Sequence, residues 1–320
     1  MSSPKTLRQI LQERKGKCFL VPCVYDCCSN RAVEMCGFPV SLLSGGELSI
    51  AMNGCIDYGF TNLTDLEWMV SRITQTSSIP VICDIEDGFG GPLAVYRAAK
   101  RLSAAGAAAI QLEDAGDMEN STAILPREPY MAKVRAAIEA LKGSDCMLIA
   151  RTNADPSSPA EMREGCERLQ EALALGADLA MMVKVTQYDQ AVAMSKLVTG
   201  PKIFADVRAD KETGEPFCTM EQLSPLGFVM CSSHYTMKAA MEGMLEHGRE
   251  NFKNQSVGYT FTHAPASGVH SFSATPLFDP QSYMALESSF TKTAKQYTIV
   301  GNMVEDFPKG WTRPDIKDRL

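Results

Sequence analysis

The chain has 320 residues, 45% hydrophobic and 22% charged, enough to bury a core of barrel size with an appendage and too apolar for a disordered chain. A net charge of −7, a pI near 5.3 and the lack of any long Lys/Arg run exclude a nucleic-acid footprint and point to small molecules or other subunits as partners. No run approaches the ~18 apolar residues of a membrane span, and the start has no signal-peptide core, so a cytoplasmic protein without a membrane partner is expected.

In chain order, eight short apolar runs stand out, at 18–24, 40–43, 81–84, 109–113, 147–151, 179–183, 202–206 and 228–232. Stretches of helical period, such as "DLEWMVSRI" and "EMREGCERLQEALAL", separate most of them. Four runs follow a glycine that suits the left-handed position just past a helix: Gly37, Gly106, Gly176 and Gly227. Two more, in "SSIPVICD" and "TGPKIFAD", follow a proline instead. Many of the eleven cysteines fall inside apolar runs, as in "KCFLVPC" and "FVMC", and read as reduced, buried small hydrophobes. None has the paired spacing of a zinc site.

Short, almost wholly apolar strands alternating with helices predict a parallel sheet covered by helices. Eight of them predict an α/β (β/α)8 TIM barrel over 1–250, with a doubly wound open sheet as the alternative. After about residue 250 a Ser-, Pro- and His-rich stretch gives way to a helix-like one, so 251–320 is expected to be a C-terminal helical extension, either a packing or subunit-exchange element or a mobile tail.

Polar residues stand at one end of the runs only: Asp26, Ser44, Asp84, Glu113, Arg151, Asp206 and His234 at the C-terminal ends, against Gly, Pro and Ala at the N-terminal ends. In a barrel the C-terminal face carries the chemistry. Asp84 and Glu86 after the third run and Glu113 after the fourth can converge on one hard cation. Mg²⁺ suits that supply, with Mn²⁺ as its substitute, because it takes few protein ligands and keeps several waters. Any one of these acids alone reads better as a helix cap, whereas the set favours the cation.

The motifs "VYDCCSNRAVEMCGF", "LLSGGELS", "VICDIEDGFGG", "AAIQLED" and "LIARTNAD" stand in the order and at the spacings of the isocitrate lyase and phosphoenolpyruvate mutase superfamily, which the chain resembles over roughly residues 7 to 248. The resemblance implies a barrel that binds Mg²⁺ and a 2-keto or 2-hydroxy acid and works through an enolate-like pyruvate species. By it, Asp84 matches the direct metal ligand, and Glu86 and Glu113 match acids acting through the metal's waters. Asp57 matches a further acid beside the metal, at the substrate. Ser44, Gly45 and Gly46 match the loop whose N–H groups hold the substrate carboxylate, and Arg151 matches the arginine that pairs with substrate oxygens. It also implies a homotetramer that exchanges a C-terminal helix, for which 283–300 is the candidate.

Departures from the family pattern narrow the reaction. After Glu113 the chain reads "LEDAGDMENSTAILPREP", without the Lys-x-Cys-Gly-His segment of the carbon–carbon lyases, which disfavours cleavage of the isocitrate type. Asn120-Ser121 is similar to the mutase branch, but the lysine that precedes it there is missing. Val183 stands near the strand-six position that is Glu in lyases, and Asp206 replaces an Asn of strand seven. What remains is most similar to the oxaloacetate decarboxylase branch, which also has a His where this chain has His234. The resemblance therefore implies Mg²⁺-dependent decarboxylation of oxaloacetate or a related 2-keto diacid, with Arg151, Glu113 and His234 as catalytic groups. Two alternatives stay open: a lyase for a substituted malate or a phosphonopyruvate-processing enzyme, and a carboxylate-binding paralogue without activity.

Overall fold

All eight apolar runs form strands in the computed structural model of the protein, which describes residues 5–116 and 124–263 and positions 286, 289 and 290. The strands are β1 (Phe19–Val24), β2 (Ser41–Leu43), β3 (Val81–Asp84), β4 (Ala109–Glu113), β5 (Met147–Thr152), β6 (Leu179–Met182), β7 (Lys202–Phe204) and β8 (Phe228–Ser233). They form a closed barrel in sequence order. All neighbours are parallel, and β1 closes on β8 with Phe19 opposite Met230 and Pro22 opposite Ser233. The fold is a (β/α)8 barrel. Val183 and Asp206 lie just beyond strand ends rather than within them; a register shift at Lys202 and Ile203 interrupts the pairing of β7 with β8.

The helices that matter below are α1 (Leu7–Glu13), α2 (Cys27–Met35), α3 (Gly45–Asn53), α4 (Leu63–Thr76), α5 (Pro92–Ala104), α6 (Arg127–Leu141) and α7 (Pro159–Leu175). Side chains alternate across each strand, so the core has two parts. Leu42, Ile82, Ala109 and Ile149 point into the barrel, whereas Leu43, Cys83, Ile110 and Ala150 pack outward against residues such as Leu66, Val70 and Leu102 on the helices. The cysteines are free thiols, and seven of the eleven are buried. No described helix is long and apolar enough to cross a membrane.

The barrel unit runs over Ser2–Met237, and a second unit begins at Lys238. Within the second unit His263 stacks on Tyr259 at a 4.0 Å centroid separation, and Asn251 Nδ2 donates to Thr260 Oγ1 at 2.7 Å. Asn120, Ser121, His270 and nearly all of 283–300 lie outside the described residues.

Candidate active site

The parity that fills the barrel with apolar side chains also builds the site. Continuing the inward set of β3 from Ile82 leads to Asp84, that of β4 from Ala109 to Gln111 and Glu113, and that of β5 from Ile149 to Arg151. Asp84 and Gln111 are register partners, as are Glu113 and Arg151. The top inward layer is thus polar, and it forms part of a cavity of about 450 Å³ that Ser44, Gly46, Asp57, Asp84, Arg151 and His234 also line. Gly45, Glu86 and Glu113 stand against this wall rather than in it.

Arg151 organises that layer. Its Nη1 donates to Asp84 Oδ2 at 3.1 Å, and its Nη2 lies 2.7 Å from Glu113 Oε2. Although burial works against its charge, Glu113, Asp84 and Asp57 together hold the guanidinium pKa above its ordinary value. Glu113 also accepts from Asn153 Nδ2 at 3.2 Å. Burial raises the Glu113 pKa even so, with Arg151 opposing. The second acid of "QLED" has a different task. Asp114 is fully buried, accepts from Arg168 Nη1 at 2.8 Å, Thr152 Oγ1 at 2.6 Å and the Asn153 N–H at 2.8 Å, and so fixes the end of β5 under Arg151.

The turn after β3 brings Glu86 into the same cluster. Its backbone is left-handed, φ 49°, a conformation that costs a non-glycine residue roughly 1–3 kcal/mol and persists only where its surroundings hold it. The Glu113 N–H donates to Glu86 O at 2.9 Å, and the Glu86 N–H donates to Asp84 Oδ1 at 3.2 Å. Asp87 points elsewhere: its Oδ1 caps the turn through the Phe89 N–H at 2.8 Å, and its Oδ2 pairs with Lys133 at 3.0 Å. Burial, then Asp57, Asp84 and Glu113, pushes the Glu86 carboxyl up to about 8, and burial also raises Asp57.

This crowding bears on a metal. Among the described residues no three His, Cys, Asp or Glu side chains are gathered into a ready-made cage. Glu86 Oε1 is nevertheless buried without a hydrogen-bond partner, and the four acids disfavour one another's charge. A hydrated hard cation with one direct carboxylate ligand suits such a set, since its charge relieves the repulsion and its waters donate to the spare oxygens. Asp84, Glu86 and Glu113 therefore fit Mg²⁺.

The opposite wall is the start of α3. Ser44 caps it, its hydroxyl accepting from the Glu47 N–H at 3.3 Å. The N–H groups of Gly45 and Gly46 occupy the first turn, where a helix offers unpaired donors to an anion. Space is tight at both: a Cβ on Gly45 would lie 3.0 Å from Glu86 Oε1, and one on Gly46 3.1 Å from Asp57 Oδ2, so either carboxylate would have to shift. Locally, "SGGE" reads as a capping box, yet the Ser44 N–H is already given to Val24 O at 3.0 Å in the sheet. Glu47 is thereby free to reach His234, whose Nδ1 lies 3.1 Å from its Oε1.

Among the cavity residues that were not singled out from the sequence as site residues are Glu47, Gln111 and Cys23. Gln111 is 2% exposed and its Oε1 has no partner; its place two residues before Glu113 on one strand was the available signal. Cys23 lies on β1 with Sγ 3.5 Å from His234 Nε2, and burial, then Glu47, raises its pKa far enough to keep it a thiol.

The family model for phosphoenolpyruvate phosphomutase matches residues 7–251. An oxaloacetate decarboxylase of Pseudomonas putida is 30% identical over 256 residues, 77% of this chain and 85% of that protein. The crystal structure of an oxaloacetate acetylhydrolase matches with a TM-score of 0.75 at 25% identity, covering 90% of this chain and 98% of that one. A phosphonopyruvate hydrolase in complex with oxalate and Mg²⁺ matches at 0.71 and 24% identity over 83% of this chain and 92% of that one, a likeness of fold. With the barrel, the acid cluster and a family match over three quarters of its length, the chain belongs to the phosphoenolpyruvate phosphomutase family, within the superfamily of phosphoenolpyruvate mutase and isocitrate lyase.

Proposed function

We propose that this superfamily enzyme is a Mg²⁺-dependent lyase that decarboxylates oxaloacetate or a related 2-keto diacid by way of the pyruvate enolate. The observation that carries the reading is the placing of Arg151, hydrogen-bonded to Asp84 and Glu113, and the α3 N-terminus on walls of one cavity that also contains His234. The 30%-identical decarboxylase supports the choice of reaction.

The N–H groups of Gly45 and Gly46, with the Ser44 cap, receive the C1 carboxylate at the positive end of α3. The Arg151 guanidinium faces the keto oxygen, where negative charge develops as the bond from C3 to C4 breaks, and its two acid partners hold it in place before the charge appears. Mg²⁺, with Asp84 as direct ligand and Glu86 and Glu113 acting through its waters, would add Lewis-acid stabilisation of that same charge. Leu42, Met181 and Val183 supply an apolar part of the wall, which limits water around the leaving carboxylate and strengthens the polar contacts. His234 stands where the C3–C4 end of the substrate would lie.

Purified protein with Mg²⁺ should release pyruvate and CO₂ from oxaloacetate faster than Mg²⁺ alone, and Asp84→Ala should abolish the excess. A second reading, hydrolysis or cleavage of another carbon–carbon bond, is favoured by the likeness to the acetylhydrolase; oxalate and acetate in place of pyruvate would establish it. Ligand binding without any product would favour the carboxylate-binding paralogue.

A further inference from the structure

Glu47 is a buried carboxylate that the reading above leaves unused. It is 7% exposed, with Oε1 3.1 Å from His234 Nδ1 and Oε2 3.4 Å from Thr236 Oγ1. Thr236 is itself anchored, donating to Cys23 O at 2.7 Å. A carboxylate only accepts, so Nδ1 carries the hydrogen and the ring is turned with Nε2 toward Cys23 Sγ, 3.5 Å away on the cavity wall. The cavity therefore holds a histidine whose orientation and tautomer are set by a residue outside its own strand and helix.

We propose that Glu47 is a positioning residue, which holds His234 in its imidazolium form with Nε2–H toward the cavity so that His234 supplies the proton that C3 takes up after decarboxylation. The inference rests on the decarboxylation reading. When the C3–C4 bond breaks, its electron pair stays on the enolate and CO₂ departs. C3 then bonds to the Nε2 proton, the keto group reforms, and His234 is left neutral with Nδ1–H still on Glu47. Its side chain is 46% exposed, so solvent returns the proton, and one proton is consumed per CO₂ released.

The charged surroundings agree with the geometry. The hydrogen bond to Glu47 raises the His234 pKa, burial lowers it, and Asp206 and Asp84 add to the rise. Cys23 faces the ring as a neutral thiol. The cations of the same cavity are already paired, Arg151 with Asp84 and Glu113 and Arg208 with Asp206 at 3.2 Å.

The test is an NMR titration of the four histidines in the full-length protein, with the His234 signal assigned by its loss in His234→Asn. Glu47→Gln should move the His234 midpoint down, lower kcat at least about tenfold with KM nearly unchanged, and shift the alkaline fall of kcat to lower pH by the same amount. Glu47→Asp should recover part of both effects, which also serves if the glutamine variant folds poorly. An unmoved midpoint, or a rise in KM at constant kcat, overturns the proposal. If the wild type releases no pyruvate, the decarboxylation reading and His234's task both fall, whereas a shifted midpoint would still show that Glu47 sets the ring's charge.

Discussion

Asp84 and Arg151 are 67 residues apart in the chain and 3.1 Å apart at the mouth of the barrel, Nη1 donating to Oδ2. Under the proposed function the same carboxylate would also be the direct ligand of Mg²⁺. Asp84→Ala should therefore abolish Mg²⁺ binding in calorimetry and lower kcat/KM for oxaloacetate by about a hundredfold or more. Asp84→Asn keeps the shape and should fail in the same way.

Glu86 makes the metal-free protein sensitive to pH. Its carboxyl is pushed up to about 8 by burial and by Asp57, Asp84 and Glu113. Between the ordinary carboxylate range and that value the folded chain holds a proton that the unfolded chain has released, so the stability contributed by Glu86 falls as pH rises through the window. Under the proposed function Mg²⁺ would compete with that proton, and its stabilising effect should grow over the same window. In thermal unfolding, the rise in Tm on adding Mg²⁺ should be larger near about pH 9 than near about pH 6, and Glu86→Gln should flatten this difference.

Gly46→Ala tests the anion wall. Its Cβ would lie 3.1 Å from Asp57 Oδ2, which forces either the Asp57 side chain or the start of α3 to give way. KM for oxaloacetate should rise by about tenfold, ~1.4 kcal/mol, with a smaller change in kcat. Steady-state kinetics with Mg²⁺ saturating would read the split.

Arg168→Met tests what lies behind the site. The ion pair of Arg168 with Asp114 has side chains 4% and 0% exposed, and removing one partner of such a pair costs about 3–5 kcal/mol. The urea midpoint should fall accordingly. Asp114 also holds the Asn153 N–H, so the variant should lose some kcat as well.

The strands were legible because a buried parallel strand is apolar on both faces and ends abruptly at Gly or Pro, as at Gly106 before β4 and Pro80 before β3. Asp84, Glu113 and Arg151 were legible for the same reason: each is the first charged residue at the end of an apolar run, and two-residue parity then aims all three inward. Glu47 was not. It belongs locally to a pattern that caps helices, and only the sheet bond from the Ser44 N–H to Val24 O releases it to His234, 187 residues away. Cys23 was hidden inside "KCFLVPC", where nothing local distinguishes a thiol facing the cavity from one packed in the core. Glu113 stands beside Arg151, 2.7 Å from its Nη2, a pairing that its place in the motif did not reveal.

The most direct measurement is product analysis of oxaloacetate turnover by the purified protein with Mg²⁺, against Mg²⁺ alone and against Asp84→Ala with Mg²⁺. Pyruvate and CO₂ are expected in equal amounts, formed above the metal-only rate by the wild type and not by the variant. A rate no greater than that of the metal alone, or oxalate and acetate as products, would contradict this expectation.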